Sequence, residues 1–261
     1  MADAFFATED GDWFVPTHHS RGPWDADSCH GGPPTGLIAR ALERALPDVR
    51  LARLQVDLLR PVPMAGFRIE TEIVRRGRTV GSTRARLVDA DGKERATAAG
   101  LHVSARDVGE VPSPEVPIPM LADAIPGPFV FDRPLHGRPA FMGAVEMRYP
   151  PGEDRSPGPT TAWMRTVPLL ADEEMSPFQR ACPLADCGNA ISRNAGIEEL
   201  GFVNPDLTLM LHRDPVGEWL GSSAVSHWQP NGVGLADALL FDEVGVVGRA
   251  LQTLLLTPPS G

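Results

Sequence analysis

The sequence predicts an α+β protein built from two copies of one plan, a helix wrapped by a curved antiparallel sheet. A single shift of 153 residues lays Leu54, Leu58 and Arg60 on Leu207, Leu211 and Arg213. The same shift lays Val80-Gly81, Ala85, Leu87, Asp89, Gly92 and Leu101 on Val233-Gly234, Ala238, Leu240, Asp242, Gly245 and Leu254. Self-similarity at one fixed period marks a repeated structural unit. Each half also shows one stretch of helical spacing followed by runs of β-type alternation. A Pro/Gly-rich stretch separates the two.

The elements of the first half follow in order. A strand is expected near 11–17, then a Gly/Pro entry at His30-Gly-Gly-Pro-Pro34. A helix follows from Thr35, with Leu37, Ile38, Ala41, Leu42 and Ala45 on one face. Pro33 and Pro34 suit its start, where a missing N–H costs little. Strands are expected at 51–59, 67–75, 80–89 and 95–104, the last pair joined by the hairpin signal Asp89-Ala-Asp-Gly92. Residues 109–139 carry too many prolines for a helix or a central strand and read as a linker.

The second half repeats the plan. Strands near 143–148 and 161–166 flank the loop of Pro150-Pro-Gly-Glu-Asp-Arg-Ser-Pro-Gly-Pro159. A helix around 178–194 leads to strands at 207–213, 218–227, 233–241 and 246–256, with a turn at Asp242-Glu-Val-Gly245. The expected organisation is therefore one repeat over 1–108, a linker over 109–139 and a second repeat over 140–261. A half of this kind leaves a sheet edge open, and edge-to-edge pairing of the halves covers it.

Composition excludes several roles. A net charge of −10 argues against nucleic acid, whose phosphates call for an excess of Lys and Arg. No apolar run approaches the ~20 residues of a membrane span. The first residues lack the basic-then-apolar order of a secretory signal. Cys29, Cys182 and Cys187 are odd in number and show no CxxC spacing, so reduced thiols in a cytoplasmic protein are expected. His18-His19 has no third ligand at a metal-like spacing. Phosphate-loop, dinucleotide and nucleophile-elbow patterns are absent.

The duplicated helix-then-sheet plan resembles the double hot-dog proteins of the acyl-CoA thioesterase II-like superfamily. The resemblance rests on Gly31-Gly-Pro-Pro-Thr-Gly-Leu-Ile-Ala39, Leu59-Arg-Pro61, Asp186, Asn204-Pro-Asp-Leu-Thr-Leu-Met-Leu-His-Arg213, Gly217-Glu-Trp-Leu220 and Gln252. Order and spacing carry it over nearly the whole chain.

Comparing the copies isolates candidate site residues. Across 204–212, Leu207, Leu209 and Leu211 fall on one face, and Asn204, Asp206, Thr208, Met210 and His212 on the other. In the last strand Val246, Gly248, Ala250, Gln252 and Leu254 share a face that is apolar except for Gln252. The 153-residue shift sets Gln252 against Ala99, Thr208 against Gln55, and Asp186 near Pro33. Asp186 and Gln252 thus lack polar counterparts. In the family resembled, an Asp, a Thr or Ser, and a Gln orient a water. The resemblance makes Asp186 the base and Gln252 the amide. Its hydroxyl position falls on Asn204, a departure, while Thr208 lies on the same expected face and is the preferred substitute. Backbone N–H groups of Gly31 and Gly32, beside His30, can hold an oxyanion at a helix start.

Plainer roles exist for each. Asp186 suits a helix carboxylate favoured by the dipole, Gln252 a satisfied core amide, and Thr208 a good strand former. Gly31 and Gly32 suit a tight turn, and His30 a surface or capping residue. The expectation is a thioester hydrolase with one working site and an apolar acyl tunnel between the halves. It calls for no metal or redox cofactor. The partner expected is acyl-CoA or another acyl thioester. The resemblance also implies self-association into a homo-oligomer, for which the sequence shows no interface stripe. A non-catalytic acyl-CoA or fatty-acyl binding protein is the alternative. A hydratase or dehydratase wants a His paired with a helix carboxylate, and residues 182–194 contain no His.

Overall fold

The computed structural model describes residues 3–130 and 136–258, so residues 131–135 of the expected linker lie outside the described residues. In the first half the elements are β1 (Phe6–Ala7), β2 (Trp13–Pro16), α1 (Gly32–Ala45), β3 (Arg50–Leu58), β4 (Phe67–Arg75), β5 (Val80–Val88) and β6 (Glu94–Val103). They are followed by β7 (Ile125–Gly127), β8 (Val145–Tyr149), β9 (Thr160–Thr166), α2 (Pro177–Ala185) and α3 (Gly188–Ile191). The last strands are β10 (Gly201–Val203), β11 (Asp206–Leu211), β12 (Leu220–Trp228), β13 (Val233–Asp242) and β14 (Gly245–Thr257).

Among the described residues one 14-stranded sheet runs β1-β2-β4-β5-β6-β3-β11-β14-β13-β12-β9-β8-β7, with β10 pairing on β14. The halves join where β3 pairs antiparallel with β11, the edge-to-edge closure expected of two open sheets. In that ladder Gln55 faces Thr208, the residue onto which the internal shift carries it. The pseudo-twofold axis therefore passes between these two side chains. Inside the curve α1 and α2 pack together, burying Leu37, Ile38, Leu42, Phe178, Ala181 and Leu184. The fold is the double hot-dog α+β arrangement.

Two sequence expectations need correcting. The Pro-rich segment is more than a linker: Ile125–Gly127 forms β7, paired with β8 at the sheet edge. Pro126 is tolerated there because an edge strand has one side free of ladder bonds. The helices, moreover, do not obey the 153-residue shift. α1 starts at Gly32 and α2 at Pro177, a shift of 145, so the counterpart of Asp186 is Ala41 and not Pro33. The missing eight residues are absorbed before the strands resume. The asymmetry inferred for Asp186 stands, since Ala41 is also non-polar.

The second helix is broken where the first is continuous. Pro183 lies inside α2 and cannot donate the helical N–H bond. Within a turn α2 ends, Asp186 takes its C-cap, and α3 begins at Gly188. No described helix is long and apolar enough to cross a membrane.

Candidate active site

The break between α2 and α3 delivers a carboxylate into the interior. Asp186 is 3% exposed. Its Oδ1 accepts hydrogen bonds from Asn204 Nδ2 (2.8 Å) and Gln252 Nε2 (2.8 Å). Its Oδ2 lies 3.1 Å from His30 Nδ1. At the C-cap of α2 it occupies the helix end that disfavours negative charge, so the dipole reading does not explain it. Burial pushes its carboxyl up to about 7, against the hydrogen bonds from Asn204, Gln252 and the Gly32 backbone, which favour the ionised form.

The two amides are held by a residue the sequence reading missed. Asn189 N–H donates to Gln252 Oε1 (3.0 Å), and Asn189 Nδ2 donates to Asn204 Oδ1 (3.0 Å). Asn204 Nδ2 also donates to the Asp206 carbonyl (3.1 Å). A backbone N–H can only donate and a carbonyl only accept, so these contacts fix which end of each amide faces Asp186. Asn189 sits in α3, three residues beyond Asp186. Only knowledge of the helix break would have singled it out.

Asn204 reaches the site through a register change. β11 pairs Thr208 with Leu251, but β10 pairs Phe202 with Leu256, so one extra residue lies between the two strands. One residue of slip turns a side chain to the other face. Asn204 thereby joins the inward face of buried Phe202 and meets Asp186. Thr208 stays opposite the buried Leu207, Leu209 and Leu211, and among the described residues it makes no hydrogen bond to Asp186. The preference for Thr208 over Asn204 is therefore corrected. Gln252 behaves as expected: it is buried, on the inward face of β14 with Ala250 and Leu254.

His30 is not a surface residue: it is largely buried, and its Nδ1 caps the start of α1. Its ring stacks on Phe141 (centroids 3.9 Å apart, planes within 8°), and burial pushes its pKa down to about 3. The neutral imidazole and Asp186 share one proton across the Nδ1···Oδ2 contact, on Oδ2 when the carboxyl is protonated and on Nδ1 when it is not. With Nδ1 unprotonated, the Gly32 N–H donates to it (3.2 Å). Among the described residues the Gly31 N–H has no protein acceptor. Both glycines are needed for close approach. A Cβ on Gly31 would sit 3.0 Å from Asp186 Oδ2, and one on Gly32 would sit 2.6 Å from the Pro183 carbonyl oxygen.

These groups open on a cavity of about 540 Å³ with a mostly apolar wall that includes Leu58, Phe129, Phe141 and Phe202. It is lined from both halves: Gly31 and His30 come from the first, Asp186 and Asn204 from the second. A second concavity, on the outer face of the first-half sheet, is crossed by the Arg86–Glu70 ion pair and holds none of these groups.

Comparison with known proteins bears on this geometry. A search of curated protein sequences finds no significant match. Among solved structures, a candidate thioesterase II from Thermobifida fusca has a TM-score of 0.76 at 15% identity, covering 97% of this chain and 95% of that one. A conserved hot-dog protein from Alicyclobacillus acidocaldarius has a TM-score of 0.73 at 18% identity (97% and 96% covered). A tesB protein from Mycobacterium avium subsp. paratuberculosis has a TM-score of 0.68 at 18% identity (97% and 96% covered). At such identities these likenesses speak to the fold. Family models are more specific: the acyl-CoA thioesterase N-terminal domain matches residues 20–103, and the C-terminal domain matches residues 106–256, more than half of the chain. The chain belongs to the acyl-CoA thioesterase family, a family of thioester hydrolases.

Proposed function

We propose that the chain hydrolyses an acyl-CoA thioester at a single site, with Asp186 as general base. The observation that carries this is a buried carboxylate with one oxygen held by two oriented amides and the other beside the cavity, ionising near neutral pH. Such a group is matched to taking a proton from water. In this reading Asp186 Oδ2 removes the proton as water attacks the thioester carbonyl. The Gly31 N–H, at the start of α1, meets the developing oxyanion. The C–S bond then breaks, and the thiol leaves with the proton held by Asp186, giving a carboxylic acid and free thiol. Asn204 takes the orienting position where the family resembled carries a hydroxyl. Asn189, at the cavity wall, positions both amides.

Offering acyl-CoAs of graded length and following free thiol tests this. Thiol release is expected, with kcat/KM rising with pH toward a plateau above about 7 as Asp186 ionises. Tight binding without thiol release favours the non-catalytic binding protein. The 153-residue shift sets Gln252 against Ala99, but strand pairing sets it against Gly100, so Gln252→Ala removes an amide for which the first copy has no side chain at all. It strips one N–H from the Asp186 carboxylate, and a charge-assisted bond of ~1.5–3 kcal/mol corresponds to a rise of roughly one to two pH units in the acidic limb.

The His30–Asp186 contact favours a second reading. The histidine absent from 182–194 is supplied by the other half, at 3.1 Å. Such a pair suits addition of water across a conjugated enoyl thioester. Loss of enoyl absorbance without thiol release would single out that reaction.

A further inference from the structure

The two copies differ at a second place, the rim of the cavity. In the second half Arg213 is locked: its guanidinium donates to both Asp242 carboxylate oxygens (2.6 Å each) and to the Gly245 carbonyl (2.8 Å). The 153-residue shift carries Arg60 onto Arg213 and Asp89 onto Asp242, so the same lock is available to the first half. It is not used. Asp89 is taken by Arg95, whose Nε donates at 2.6 Å. Strand pairing sets β14 one residue short of that shift, so the counterpart of Arg95 is Val247, a buried apolar side chain that cannot compete for Asp242. Arg95 thus releases Arg60. Among the described residues the Arg60 guanidinium makes one hydrogen bond, from Nη1 to the Glu94 carbonyl (2.9 Å), and Arg60 lines the cavity that holds Asp186.

We propose that Arg60 recognises the phosphate of the thiol carrier, holding substrate at the mouth of the cavity. The acyl group belongs in the apolar interior, and the part left in water at an exposed arginine is the carrier. A protein of net charge −10 repels a polyanionic carrier at long range, so a cation at the mouth has a disproportionate effect on capture. Arginine also offers a fork of donors that fits a phosphate oxygen pair. The inference rests on the thioester reading, but its test does not need turnover.

Calorimetry with three non-hydrolysable thioethers provides that test: S-hexyl-CoA, S-hexyl-4′-phosphopantetheine and S-hexyl-pantetheine. The native protein is expected to prefer S-hexyl-CoA over the unphosphorylated ligand by roughly 10- to 100-fold, the worth of one charge-assisted contact. Arg60→Ala should shrink that ratio toward one, and Arg60→Lys should keep part of it. The middle ligand assigns the recognised group: the 4′-phosphate if it matches S-hexyl-CoA, the nucleotide phosphates if it does not. No preference in the native protein, or one that survives in Arg60→Ala, overturns the proposal. Phosphate preference without thiol release on the acyl-CoA series refutes the hydrolase and keeps Arg60; thiol release without Arg60-dependent preference does the reverse.

Discussion

Asp186→Asn is expected to lower kcat by at least ~100-fold, the usual worth of a positioned base, while making the protein more stable at neutral pH. The two effects have one cause. Asn keeps an oxygen to accept from Asn204 and Gln252 and gains an N–H that can donate to His30 Nδ1, but it carries no charge into the interior. In the unfolded chain Asp186 ionises near the ordinary carboxylate value of 3.8, and in the fold near 7. Between these values the native state holds a proton that the unfolded state has lost. Stability therefore falls as pH rises from about 4 to about 7 and is flat above, by up to about 4 kcal/mol for a shift of this size. Asp186→Asn escapes this loss. Its Tm should exceed that of the native protein by a margin that widens between pH 4 and pH 7 and then stays constant, as read by thermal unfolding in a pH series. Unchanged thiol release would falsify the base assignment. A margin independent of pH would show that Asp186 is not the group whose burial costs stability.

Gly32→Ala is expected to damage stability and activity together. The new Cβ would meet backbone, 2.6 Å from the Pro183 oxygen and 2.9 Å from its Cα, so α1 and α2 must move apart. Overpacking of this kind costs ~1–3 kcal/mol, which for a chain of this size lowers Tm by roughly 2–4 °C per kcal/mol. Pro183 lies three residues before Asp186, so the displacement passes to the carboxylate and to the Gly32 N–H that supports His30. A misplacement of ~1 Å at a positioned group costs about 100-fold in rate. Gly143→Ala is the matched control, because nothing lies within 4 Å of its added Cβ. Thermal unfolding and thiol release on both variants decide the matter; equal behaviour would mean that the helix contact is not tight.

The fold was largely legible in the residues. The meander of β3 to β6 and its copy, β11 to β14, fall within a few residues of the expected strands, because alternation on a sheet with one buried face is strongly specified. Short edge strands such as β1, β7 and β10 left no such pattern and were not expected. Asp186 and Gln252 were legible because the first copy carries non-polar residues at the equivalent positions. Unbroken alternation through Pro205 puts Asn204 and Thr208 on one face, but one extra residue there reverses it and turns Asn204 alone toward Asp186. His30 was undervalued because its partner lies 156 residues away in the other half.

The sequence by itself determined the doubled architecture, the strand faces and the asymmetry that leaves one copy with a carboxylate and an amide. These follow from local periodicity and from comparing each position with its repeat, neither of which needs a third dimension. Only the tertiary structure decided that the helix breaks at Asp186, that Asn204 turns inward, that Asn189 locks both amides, and that His30 closes on the carboxylate. The helix break carries one local mark, Pro183, whereas the other three depend on a register slip or on contacts between distant segments that no local pattern records.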